Sequence, residues 1–180
     1  MKKISLVLFL FVSSIVFAKT KHYGPSVIEK TKIDSEMVYY GPVTIGESDV
    51  KKDIEIFGPL NITQSKVFGK LEISGPLMSE NTKFENKISI KGPIFASNSI
   101  FKNEVEMYTR SAKFDDSKIM GKLILINKED KNPYICLQKG SELSSVEFKG
   151  NKGKIYVTDK KSKIDRLING DSVSAECPEK

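Results

Sequence analysis

The dipeptide Gly-Pro recurs at Gly24-Pro25, Gly41-Pro42, Gly58-Pro59, Gly75-Pro76 and Gly92-Pro93, always seventeen residues apart. A short fixed period constrains the fold strongly, because one repeat is too small to bury an apolar face alone and must stack on its neighbours. With each repeat numbered from its glycine, position three holds Ser26, Val43, Leu60, Leu77 and Ile94, and position five holds Ile28, Ile45, Ile62, Ser79 and Ala96. Position ten is Ile33, Val50, Val67, Phe84 and Phe101. Positions fourteen and sixteen are mostly apolar too, as in Ile54 and Ile56 or Leu71 and Ile73. Separations of two within each pair are the period of a strand. A helical repeat is excluded, since Gly-Pro in every unit would interrupt it.

The expected fold is therefore all-β: a single-stranded parallel β-solenoid with coils of about 17 residues. The general right-handedness of parallel crossovers makes it a right-handed β-helix. Three short strands per coil, near positions two to five, eight to eleven and thirteen to seventeen, should stack as parallel sheets. Position eight is Thr31, Ser48, Ser65, Thr82 and Ser99, a hydroxyl in every copy. Its spacing from position ten points it inward, where it can bond a neighbour or a backbone group at a bend. As a row of nucleophiles it lacks a base, because no histidine recurs beside it. An extra residue near Thr109 shifts the register, after which Ala112, Phe114, Ser117, Ile119, Leu123 and Leu125 resume as a sixth coil. Residues 127–132 read as a loop, and looser echoes of the motif follow. The chain thus divides into 1–18, 19–126 as regular coils, and 127–180 as irregular C-terminal coils and a cap.

Residues 1–18 read as an address. Lys2 and Lys3 precede an apolar run over residues 4–17, and Val16-Phe17-Ala18 suits a signal peptidase. The run is shorter than the roughly 20 apolar residues of a spanning helix and contains Ser13 and Ser14. A cleaved signal peptide is expected, with a product that starts near Lys19, crosses no membrane and is periplasmic or secreted. Without Lys2 and Lys3 the chain keeps 27 basic against 23 acidic residues, a charge of +4. Its lysines are scattered, which speaks against a nucleic-acid surface.

Candidate sites are few. Cys136 and Cys177 are the only cysteines, and in an oxidising compartment they are expected to form a disulfide. His22 is the sole histidine and is read as a surface residue near a frayed end. Asp115-Asp116 and Glu129-Asp130 are adjacent carboxylates, but neighbours on a strand face opposite ways, so they are read as solvated turns. Tyr23, Tyr40 and Phe57 occupy position seventeen of consecutive repeats, and Tyr108 does so again later. They form either a stiffening stack at a corner or a surface strip for contact. No catalytic residue, metal site or cofactor is expected.

The cadence Ser65-Lys66-Val67-Phe68-Gly69-Lys70-Leu71-Glu72-Ile73-Ser74-Gly75-Pro76-Leu77 resembles the bactofilins, polymer-forming bacterial proteins. The resemblance covers about residues 24–126 and implies a right-handed parallel β-solenoid. Bactofilins work inside the cell, so the export segment limits the likeness to architecture. The hexapeptide-repeat acyltransferases are a poorer comparison, since a six-residue spacing does not match the apolar positions. The expected role is that of an exported non-enzymatic protein, structural or binding, of the bacterial envelope or outside the cell. The alternatives are a secreted adhesin or effector and a polysaccharide-acting enzyme, which would need two carboxylates facing one groove. The expected partners are an envelope or extracellular ligand, or the chain itself, as an edge-paired dimer or a polymer.

Overall fold

A computed structural model describes residues 19–127, 129 and 132–178; the expected signal peptide lies outside them. The described chain is a parallel β-solenoid, with strands joined one after another and no helix. Position three to six strands form the first wall. It has nine strands, from Ser26–Glu29, Val43–Gly46 and Leu60–Thr63 to Gly153–Val157 and Gly170–Val173. Two-residue strands such as Lys32–Ile33 and Lys66–Val67 form a narrow second wall. The third wall begins with Thr20–Tyr23, Met37–Tyr40 and Ile54–Phe57. Two longer strands, Lys118–Asn127 and Glu142–Gly150, run through both the second and third walls and join them into one sheet.

Register follows the repeat. Leu60 pairs with Leu77, Ile56 with Ile73, and Val50 with Val67, each seventeen residues on. At the shift near Thr109 the step becomes eighteen, with Ile94 opposite Ala112. Strand alternation then sorts the side chains. Leu60 and Ile62 are buried while Asn61 between them is exposed, and Leu71 and Ile73 are buried around exposed Glu72. The inward residues form one continuous core that includes the stacked rings of Phe84 and Phe101. Each such side chain contributes about 1.5–3 kcal/mol by leaving water.

The Gly-Pro corner turns the third wall into the first, and its glycines lie almost on top of one another. A Cβ built on Gly41 would come 2.7 Å from the Gly24 carbonyl oxygen, and one on Gly58 would come 2.4 Å from that of Gly41. Gly75 and Gly92 repeat the contact at 2.4 and 2.5 Å. These are rigid backbone atoms, so no side chain fits. Gly41, with φ of 137°, also holds a conformation that residues with a Cβ avoid.

The next corner is left-handed at position seven. Lys30, Glu47, Gln64, Asn81, Asn98 and Asp116 all have φ between 46° and 50°. That turn brings the hydroxyl of position eight inside. Ser48, Ser65, Thr82, Ser99 and Ser117 are buried. The Ser48 hydroxyl donates to the Gly46 carbonyl at 2.6 Å and accepts from the Thr31 amide at 3.1 Å. Ser65, Ser99 and Ser117 make the same pair of bonds, so the hydroxyls satisfy corner groups that the sheets leave free.

Coils continue past residue 127. Tyr134–Gln138 pairs with Ser111–Asp115 on one side and Gly153–Val157 on the other. The tail after Val173 turns back along the outside of the first wall, where Pro178 lies near Tyr134 and Tyr156. At the other end, residues 19–23 are no loose lead-in. Thr20–Tyr23 is the first strand of the third wall, paired with Met37–Tyr40.

Two substitution pairs test this arrangement by thermal melting. Ile73→Asp places an unpaired charge in the core and should cost on the order of 3–5 kcal/mol, whereas Glu72→Lys should stay within about 0.5 kcal/mol. Gly58→Ala should cost about 1–3 kcal/mol through corner strain. Gly46→Ala should be nearly silent, since its Cβ would meet only side-chain atoms at 3.7 Å.

Candidate functional site

Position seventeen follows the inward position sixteen and precedes the corner glycine, so alternation turns its side chain outward. Strand pairing sets Tyr23 on Tyr40 and Tyr40 on Phe57. Their ring centroids are 5.0 Å apart at both steps, with interplanar angles of 8° and 6°. This matches the rung spacing of about 4.8 Å, so the rings stack face to face along the corner. Their edges face solvent, with Tyr23 75% and Phe57 42% exposed. Because each ring covers its neighbour, the second face of Tyr23 terminates the column at the N-terminal end.

Ser74 and Lys91 interrupt the column, and Tyr108 stands apart from it. The Tyr108 hydroxyl donates to Glu106 at 2.8 Å. Tyr108 also borders an open groove of about 650 Å³ with Thr109, Arg110, Ile126 and Lys149. The structure therefore brings together three of the four aromatic candidates.

Charges on the outer faces pair across rungs. Lys87 reaches Glu104 at 2.7 Å and Glu106 at 3.0 Å. Glu85 is held by Lys83 and Lys102, and Glu147 by Lys122. Hydrogen bonds from these lysines hold the Glu85, Glu106 and Glu147 carboxyls below their ordinary value, with the Tyr108 hydroxyl also acting on Glu106. Lys87 is raised in turn by Glu104 and Glu106.

Cys136 and Cys177 lie at disulfide distance, with Cα atoms 5.8 Å apart. Cys136 sits between the inward residues Ile135 and Leu137, so it faces out, and the pair holds the tail against the first wall. His22 differs from the surface residue expected. It lies within a strand, its ring stacks on buried Tyr39 at 5.0 Å, and its Nε2 is buried without a hydrogen-bond partner. Asp115 is engaged by Lys139 at 2.8 Å, while Asp116 supplies a left-handed corner. Asp130 lies outside the described residues. Among the described residues no three His, Cys, Asp or Glu side chains gather as a metal site, and no helix is long and apolar enough to cross a membrane.

Val27 adds an apolar side chain, 71% exposed, on the first strand of the first wall. It stands at position four, where the next coils carry Thr44 and Asn61. Set against known protein families, curated proteins and solved structures, the chain matches none.

The lysine–carboxylate pairs give a pH dependence. Because the folded Glu106 carboxyl titrates below its unfolded value, its contribution is present above about pH 4.3 and is lost as pH falls through that value toward the depressed one. Lys87→Met should flatten the fall in melting temperature between pH 6 and pH 3. Added salt should shrink the difference, as expected of a solvent-screened pair.

Proposed function

We propose that the chain is an exported, non-enzymatic scaffold or binding protein of the bacterial envelope or the extracellular space. In this reading it is wound right-handed and makes its contacts through the N-terminal aromatic corner. The observation that carries this is the exposed stack of Tyr23, Tyr40 and Phe57 on a backbone fixed by glycine-on-glycine packing. Exposed aromatic surface on a rigid support is costly unless something covers it.

Export is supported by the leader-like residues 1–18 and by the cysteine pair at disulfide distance. A glycosidase acid needs a raised carboxyl, and lysine holds Glu85, Glu106 and Glu147 low, so these three do not suit that part. Lysines committed to carboxylates likewise favour a partner other than nucleic acid. The cadence that resembles the bactofilins bears on the solenoid architecture alone.

Export is tested by expressing the full chain in a bacterium, fractionating the cells and measuring the intact mass. The expected product starts near Lys19, lies outside the cytoplasm and lacks the two hydrogens lost in a disulfide. A cytoplasmic product that retains residues 1–18 and two free thiols would overturn the reading.

A further inference from the structure

Among the described residues the first coil ends the solenoid with open strand edges. Main-chain bonds to the second coil run from the amides of Thr20, Gly24, Ser26 and Lys30 to the carbonyls of Glu36, Tyr40, Pro42 and Gly46. In a strand the backbone groups of successive residues point to opposite sides. The N–H and C=O groups of Lys21, Tyr23, Val27 and Glu29 therefore point away from the second coil, toward whatever lies beyond the end.

Those same four residues are the outward-facing and exposed ones. Burial alternates without exception from Lys21 to Glu29, with His22, Ser26 and Ile28 half-buried and Lys21, Tyr23, Val27 and Glu29 exposed. The strands Thr20–Tyr23 and Ser26–Glu29 are of equal length and flank the Gly24-Pro25 corner, one running toward it and the other away. A two-fold axis through that corner lays each strand antiparallel on the other strand of a second copy.

We propose that two copies of this chain pair head to head in one register, Tyr23 opposite Val27 and Lys21 opposite Glu29 of the second copy. This inference rests on the reading above that residues 1–18 are removed. The register satisfies three conditions, of which the first two follow together from strand alternation and the third is independent. Each opposed pair has its edge-pointing N–H and C=O groups facing one another, as a hydrogen-bonded antiparallel pair requires. Outward residues meet outward ones, so exposed Tyr23 covers exposed Val27, and inward His22 meets inward Ile28. Lys21 meets Glu29, and among the described residues neither forms an ion pair within its own chain.

A shift of two residues breaks the match: it sets Tyr23 opposite Pro25, which has no N–H, or opposite Glu29. The two-fold axis makes every contact twice and uses up the N-terminal edge of both copies, so this contact closes at two. Head-to-tail stacking fits less well. It would continue the column Val43–Ser26 onto the column Ile155–Ser172 and set Ser26 on Ser172 at an inward position. The coil also climbs from Thr20 through Ser26 to Lys32, so Lys32–Ile33 stands furthest from the contact and the two four-residue strands carry the pairing.

Light scattering on the product purified from the export experiment, across the micromolar range, tests this. The expected molar mass is twice that of one chain. Lys21→Glu and Glu29→Lys each set like charges opposite one another in two places and should weaken the dimer roughly tenfold or more. The double variant Lys21→Glu/Glu29→Lys should restore it. Val27→Pro removes an edge donor and leaves the bonds to Val43–Gly46 intact, so it should give a folded monomer with a cooperative melt that, unlike that of the unmodified protein, does not depend on concentration. A monomeric unmodified protein, a mass that grows with concentration beyond two, or a double variant as weak as the singles would overturn the pairing. Intact mass on the same sample is a separate readout. Retained residues 1–18 would overturn the export reading, whereas a monomer that begins near Lys19 would overturn the pairing alone.

Discussion

The close approach of backbone to backbone at the Gly-Pro corner is the contact on which the other features depend. A Cβ at Gly58 or Gly75 would stand 2.4 Å from the carbonyl oxygen of the glycine one coil earlier. Only glycine lets successive coils lie one rung apart there, and the rung spacing in turn fixes the register of all three walls. It also sets the 5.0 Å separation of the Tyr23, Tyr40 and Phe57 rings immediately beside the glycines. The exposed aromatic column is thus a consequence of the corner that the repeat was built to make.

A solenoid that satisfies its backbone from coil to coil moves every unsatisfied group to its ends. The two ends are treated differently. Ser26 and Ser172 replace the Val43 and Ile155 of neighbouring coils, which reduces the apolar surface left uncovered at both. At the C-terminal end, residues 174–178 leave the coil and are drawn back to Cys136 on the first wall. At the N-terminal end, Tyr23 and Val27 stand exposed beside strand edges whose charges are complementary under a two-fold axis.

Much of the fold was legible in the residues because the physics is periodic. The inward positions read from Leu60, Ile62, Leu71 and Ile73 are buried, the shift near Thr109 is real, and the position-eight hydroxyls face inward from Ser48 to Ser117, while Thr31 in the first coil is exposed. The left-handed corner at position seven went unread although Asn81, Asn98 and Asp116 are types that favour a positive φ, because Lys30, Glu47 and Gln64 at the same position mask the pattern. His22 was misjudged because chain ends usually fray, whereas here a paired strand and the Tyr39 ring hold it. The likeness of Tyr108 to the other three aromatics was a matter of numbering. Two polar rungs, Ser74 and Lys91, part it from the stack, and Glu106 takes its hydroxyl.

The most direct measurement is a set of cross-strand nuclear Overhauser contacts in a backbone-assigned spectrum of the purified protein. Stacked parallel coils should give contacts between residues seventeen apart, such as Glu55 with Glu72 in the third wall and Asn61 with Met78 in the first. The series should step to eighteen at Phe95 with Lys113. Contacts at other separations between residues 20 and 126, or an antiparallel pattern within the chain, would contradict this stacking.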